Sequence, residues 1–138
     1  MKIVVIGAGK VGRALTEQLV REGHNIVVVD SRTEIIAGIE NSFDVMGVVG
    51  NGASQSIQEE AGVQTSDLVI SVTSSDEVNI LCCFVAHQLG APKTIARVRN
   101  PEYRNQLEMM KDELGLSMIV NPERSAALEA SRILRFPS

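Results

Sequence analysis

Ile3-Val4-Val5-Ile6-Gly7-Ala8-Gly9-Lys10-Val11-Gly12 decides how this chain is read: four apolar β-formers run into a Gly-x-Gly-x-x-Gly turn and then into helix-forming sequence. Each glycine has its own physical task. Gly7 permits a tight turn, Gly9 lets backbone N–H groups come close to a phosphate, and Gly12 lets the helix pack closely on the strand. The first turn of the helix offers free N–H groups and partial positive charge, the chemistry of a pyrophosphate site. Three glycines at this spacing are a weak signal alone. Here a strand precedes them, a helix follows, and Asp30 ends the next apolar run, which completes the dinucleotide pattern.

Composition narrows the classes. The chain has 138 residues, 44% of them apolar, and no apolar run as long as the roughly 18 residues a membrane span needs. One soluble domain over residues 1–138, without direct membrane insertion, is expected. A net charge of −4 and the lack of a basic run argue against nucleic acid as a partner. An anionic ligand then has to be held by local geometry. Cys82 and Cys83 are adjacent in an apolar helical stretch, unsuited to a staple or a metal site, and read as reduced core residues of a cytoplasmic protein. Met1-Lys2 leads at once into the first strand, which leaves no room for a signal or transit segment.

The rest of the chain alternates strand and helix. Ile3 to Ile6 suits the buried centre of a parallel sheet, and Lys10 to Glu22 repeats Val11, Leu15 and Leu19 on one helical face before a capping Gly23. Ile26 to Val29 is the second strand; Ile35, Ile36 and Ile39 mark a short helix, and Phe43 to Val49 the third strand. Gly50-Asn51-Gly52-Ala53-Ser54 turns at a strand's carboxyl end, where open α/β sheets bind ligands, and a helix from Ser54 to Ala61 follows. Leu68 to Val72 reads as a strand and Asp76 to Leu89 as a helix whose apolar residues run nearly all round, expected to be buried on two sides. The acids of its first turn, Asp76 and Glu77, would repel phosphate. Thr94 to Val98 and Leu116 to Val120 are further strands, each followed by an Asn-Pro-Glu helix start; Tyr103, Leu107, Met110 and Leu114 share one helical face. A last helix over about 122–134 carries apolar residues on two sides, Leu128 opposite the main stripe, which suggests a partner. Strict alternation predicts a Rossmann-like, doubly wound, six-stranded parallel sheet in the order 3-2-1-4-5-6 with a terminal crossover helix.

Several residues suit ligand chemistry. A carboxylate at Asp30 can accept both ribose hydroxyls and repels a 2′-phosphate, which favours NAD or an adenine nucleotide over NADP. Ser31 and Arg32 follow it; Arg32 could stack on adenine or hold a 2′-phosphate, the second role disfavoured by Asp30. Lys10, inside the glycine turn beside Val11, could meet a terminal phosphate, and Asn51 with Gly52 could meet the adenine edge. Arg97, late in a strand, suits a phosphate or a carboxylate on a neighbouring subunit, or a structural ion pair. Catalytic chemistry is poorly represented. Tyr103 has no lysine four residues on, His24 and His87 suit structural roles, and no nucleophile with an adjacent base or metal cluster stands out. The expectation is a ligand-binding protein and not an enzyme.

With these residues placed, the chain from Met1 to about Leu134 resembles the N-terminal RCK or KTN domain of TrkA-type potassium-uptake regulators. The resemblance rests on Gly7 to Gly12, Asp30, Gly50-Asn51-Gly52, Thr73 with Asn79, Ile95-Ala96-Arg97-Val98-Arg99-Asn100-Pro101 and Asn121-Pro122-Glu123. It implies a cytoplasmic regulatory subunit, peripheral to the inner face of the cell membrane, that binds NAD(H) or ATP/ADP. Ligand binding would gate a membrane potassium transporter or channel by changing the arrangement of a homodimer or higher oligomer. By the same resemblance Gly7, Gly9, Lys10, Val11 and Gly12 belong to the phosphate turn and Asp30 to the ribose. Asn51 would meet adenine, Thr73, Arg97 and Glu123 would line the site or a subunit contact, and the last helix would cross to a second subunit. Family members commonly carry Thr where this chain has Ala53, leaving Ser54 as the helix cap, and continue into a smaller C-terminal domain. The rival reading is the cofactor-binding part of an NAD-dependent dehydrogenase.

Overall fold

Side chains alternate across the first strand: Ile3 and Val5 point to one face of the sheet, Val4 and Ile6 to the other, and all four are buried. A strand apolar on both faces has to lie in the middle of a sheet covered on both sides. The computed structural model, which describes residues 1–120, places it there. The elements are β1 (Lys2–Ile6), α1 (Lys10–Arg21), β2 (Asn25–Asp30), α2 (Thr33–Ser42), β3 (Met46–Val49) and α3 (Gln55–Glu60). They continue as β4 (Leu68–Ser71), α4 (Asp76–Gln88), β5 (Thr94–Arg97), α5 (Pro101–Leu114) and β6 (Met118–Val120). All strand pairs are parallel and the order is β3-β2-β1-β4-β5-β6. The helix expected over 122–134, with its Asn121-Pro122-Glu123 start and Leu128, lies outside the described residues.

Two cores follow from the alternation. On one face Leu15 and Leu19 of α1 and Ile36 and Ile39 of α2 close over Ile3, Val5, Val28 and Ile70. On the other, Cys82 and Ala86 of α4 close over Val4, Ile6, Val27 and Val69, and a neighbouring cluster joins Cys83 to Leu107 of α5. Each buried branched aliphatic adds ~1.5–3 kcal/mol over an exposed one. Within this chain α4 is buried where Asn79, Cys82, Cys83 and Ala86 meet the sheet and α5, while Leu81 is 48% and Phe84 36% exposed on its outer side.

Strand boundaries shift where local contacts compete with pairing. Phe43 does not open β3; its N–H caps α2 by donating to the Ile39 carbonyl, and its ring lies under the Arg13 guanidinium at 5.2 Å. Gly23 does close α1 in the left-handed region, at φ 87°. Of greater consequence is the reversal of direction between β1 and β4. The chain winds outward through β2 and β3, then returns to the other side of β1, and the crevice at the carboxyl ends of those strands is the ligand position of open α/β sheets.

Candidate functional site

Gly7 stands where β1 ends, at φ 105°, and its N–H donates to the Val29 carbonyl over 2.8 Å, so the turn is anchored on β2. A side-chain carbon there would sit 2.9 Å from the Thr73 nitrogen, while one at Gly12 would run into the Gly7 carbonyl. Gly12 thus sets how closely α1 approaches the turn, as expected. Gly9 is the N-cap of α1 and supplies no side-chain acceptor, and the first turn contains no acid. The leading N–H groups of α1 are left to a ligand.

Asp30 is engaged by the protein itself. Its carboxylate accepts the Ala8 N–H at 2.9 Å, the Arg32 N–H at 2.9 Å and the Arg32 guanidinium through Nε and Nη2, both at 3.0 Å. It braces the glycine turn and holds Arg32 down. Burial works to raise the Asp30 carboxyl; the Arg32 fork and the two amides outweigh it and hold the group below the usual carboxylate range. Arg32 thus lies edge-on against the Asp30 carboxylate with its guanidinium half exposed to the cleft. Ser31 is exposed beside the pair.

Around the β3 end, Asn51 folds its side-chain carbonyl back onto the Ala53 N–H at 3.0 Å, leaving its NH2 group to donate outward. This turn replaces the hydroxyl cap. Ser54 occupies the N-cap position of α3 without capping it and pairs with Ser56 at 3.0 Å. Gly52 packs its backbone on Ile6, where a side chain would collide, and its carbonyl accepts from the buried Gln58 amide at 2.8 Å.

At the β4 end, buried Asn79 organises the opposite wall. Its Oδ1 accepts from Ser71 Oγ, from the Thr73 N–H and from Thr73 Oγ1 at 2.7–2.9 Å; its Nδ2 donates to the Thr73 and Arg97 carbonyls. Arg97 gives Nη1 to the Thr73 carbonyl at 3.2 Å, but its buried Nε has no hydrogen-bond partner among the described residues. Burial, with Arg99 nearby, lowers the Arg97 pKa, and Asp76 works the other way. Asp76 itself is turned from any phosphate: its oxygens accept the Arg99 and Asn100 N–H groups at 2.9 and 2.8 Å and tie α4 to the loop after β5.

These walls enclose a cleft of about 630 Å³. Gly7, Gly9, Lys10, Val11, Asp30, Ser31, Arg32, Asn51, Gly52, Thr73 and Arg97 all line it; Gly12 does not, since it packs the helix beneath. Residues not singled out also line it: Ser74 and Ser75, together with apolar Ile6, Val29, Val72 and Val78, could have been anticipated only from which strand ends become neighbours. A dinucleotide or adenine nucleotide fits this donor set: a glycine cradle that a Cβ would fill, uncapped helix amides, and an arginine Nε without an acceptor among the described residues. His24 lies at the other end of the sheet, 3.4 Å from the Met1 amino group, and neither His87 nor Tyr103 lines the cleft. Cys82 and Cys83 are buried free thiols, as read from the sequence.

The family model described as the TrkA-N domain matches residues 3–122. The Trk system potassium uptake protein TrkA of Haemophilus influenzae is 32% identical over 140 residues, covering 99% of this chain and 31% of that protein. The TrkA homolog of Methanothermobacter thermautotrophicus is 29% identical, covering 99% of this chain and 62% of that one. The chain thus spans less than two thirds of the length of these relatives. Among solved structures, the TrkA-N domain of the inner membrane protein ybaL from Escherichia coli has a TM-score of 0.77 at 21% identity, covering 96% of each chain. The GsuK channel bound to NAD has 0.72 at 22%, covering 86% of this chain and 21% of that one. The Kef C-terminal domain of Shewanella denitrificans in AMP-bound form has 0.73 at 17%, covering 99% and 84%. At these identities the structural likeness speaks for the fold.

Proposed function

Because the chain belongs to the TrkA-N domain family, we propose that it is a nucleotide-responsive regulatory domain of a potassium-uptake system. An adenine nucleotide, NAD(H) or ATP/ADP, fills the cleft and biases the arrangement of a homo-oligomer that acts on a membrane potassium transporter or channel from the cytoplasmic side. The observation that carries this reading is the pairing of an uncapped helix start with the buried Arg97 Nε, which has no acceptor among the described residues. Both call for an anion. The ends of β1 and β5 are two strands apart, ~10 Å, a span suited to an extended phosphate ester.

In this assignment the amides of Gly9, Lys10 and Val11 and the Lys10 ammonium hold phosphate, with Gly7 shaping the turn and Gly12 keeping the helix close. Asp30, Ser31 and Arg32 form the ribose end of the cleft, Asn51 and Gly52 the adenine edge, and Thr73 and Arg97 the distal anionic part. Fold relatives bound to NAD and to AMP support an adenine nucleotide, and the names of the curated relatives support potassium uptake as the process. No helix among the described residues is long and apolar enough to cross a membrane. Binding without turnover is supported by the names of the curated relatives, which are potassium-uptake proteins.

A ligand shifts an assembly only by its difference in affinity for two states; a tenfold preference is worth about 1.4 kcal/mol per site, so coupled sites are required. Titration calorimetry with NAD+, NADH, ATP and ADP on one preparation tests the binding, and light scattering with and without ligand tests the assembly. At least one nucleotide is expected to bind with a submillimolar Kd and to change the oligomer distribution. A chain that stays monomeric throughout and binds none of the four would end the proposal.

A further inference from the structure

The Asp30–Arg32 pair changes which ribose the cleft can take. A β2-terminal carboxylate ordinarily selects a free diol because it accepts both hydroxyls and repels a 2′-phosphate. Here both carboxylate oxygens are already engaged by Ala8 and Arg32, the Asp30 side chain is 6% exposed, and the guanidinium above it is 52% exposed. An incoming ribose therefore meets the cation first. Of the five guanidinium N–H donors, Asp30 uses two, leaving three without a partner among the described residues. The free edge lies on the phosphate side of the turn, with Nη2 4.0 Å from the position a Gly9 side chain would occupy. Exposed Ser31 and exposed Lys10 line the same cleft, so the local charge is one carboxylate against two cations.

Resting on the nucleotide reading above, the geometry points to an adenosine 2′-phosphate monoester as a ligand class of the ribose end, held by Arg32 and Ser31 outside the engaged carboxylate. A planar guanidinium fork suits a phosphate, giving two parallel charge-assisted hydrogen bonds. The two ribose types do not compete on equal terms. A free diol reaches Asp30 only by breaking the two guanidinium contacts, whereas a 2′-phosphate binds with the pair intact.

The test compares 5′-AMP with adenosine 2′,5′-bisphosphate, which differ only in the 2′-phosphate, and NAD+ with NADP+, by titration of the full chain at fixed ionic strength. The bisphosphate is expected to bind at least as tightly as 5′-AMP and more tightly than adenosine 3′,5′-bisphosphate. Arg32→Ala should weaken the 2′,5′-bisphosphate tenfold or more while tightening 5′-AMP, and Arg32→Lys, which keeps charge without the fork, should fall between. Thermal melts of each variant check that it is folded. A tenfold or greater penalty for the added 2′-phosphate, equal binding of the two bisphosphates, or a shift of both ligands in the same direction in Arg32→Ala would overturn the inference. If none of 5′-AMP, the two bisphosphates, NAD+ and NADP+ binds, the nucleotide reading itself fails.

Discussion

Arg97 carries a cost that a bound anion would offset: among the described residues its buried Nε has no acceptor. A buried N–H without an acceptor costs ~1–3 kcal/mol, and here the group is cationic, with burial lowering its pKa. Arg97→Met keeps much of the volume and removes the orphan. The variant is expected to melt no lower than the parent without ligand and to bind nucleotide at least tenfold more weakly, read by thermal melts and titration of the same samples. A residue serving only the fold would lose stability and leave affinity alone. Asp30 behaves in the opposite sense, since its contacts are complete without ligand. Its folded pKa lies below the ordinary value, so the stability it supplies is fully present above an unfolded value of about 3.9 and is lost as pH falls through the lower folded value. Urea midpoints of the parent and Asp30→Asn should therefore differ by a constant amount from pH 6 to 8 and converge in acid below about pH 4. Convergence on the alkaline side instead would mean that the carboxylate is not the stabilising form.

Among the elements, α4 couples the two halves of the cleft through one side chain. Asn79 satisfies Ser71, Thr73 and the Arg97 carbonyl from a single buried position, joining the ends of β4 and β5. Asn79→Ala would strand several buried polar groups at once, and a loss of about 2–4 kcal/mol is expected in urea unfolding. Nucleotide affinity should fall with it, because Thr73 and Arg97 lose their common support; a variant destabilised by that amount yet binding normally would separate α4 from the site. Sheet order and helix positions were legible because each strand is a short apolar run closed by glycine, proline or a capping residue, and those signals are local. The glycine turn was legible too, and eleven of the twelve residues named from the sequence line one cleft, since the carboxyl ends of parallel strands converge on the switch point. What could not be read was pairing across the fold. Asp76 looked like a repulsive acid until the loop after β5 arrived at its oxygens, and Gln58 gave no hint that it bridges the Gly52 and Cys82 carbonyls. Asp30 and Arg32 are two residues apart in the chain, yet whether they meet depends on the β2 end and on the Ala8 turn together.

At the scale of the whole molecule, Cys82 and Cys83 offer a readout that joins stability to binding. Both lie at 0% exposure where α4 packs on the sheet, and Cys83 donates its S–H to the Ile95 carbonyl at 3.3 Å. Burial raises both thiols, Cys82 to about 11 and Cys83 further, its neighbour Cys82 adding to the effect, so almost no thiolate exists near neutral pH in the folded chain. An alkylating reagent can reach them only through an opening that takes α4 off β4 and β5, which dismantles the centre of the sheet. With fast reclosing, the labelling rate is the rate of an exposed thiol multiplied by the opening constant. A nucleotide that binds the closed form alone divides that constant by 1 + [L]/Kd, about a hundredfold at 100 times Kd. Iodoacetamide labelling of both cysteines should thus be slow, should track the unfolding free energy measured in urea, and should slow with nucleotide by a factor that reproduces the Kd from titration. Rapid labelling of Cys82 alone, insensitive to nucleotide, would show that α4 opens locally, and the cleft would then be supported by a wall that moves independently of the sheet.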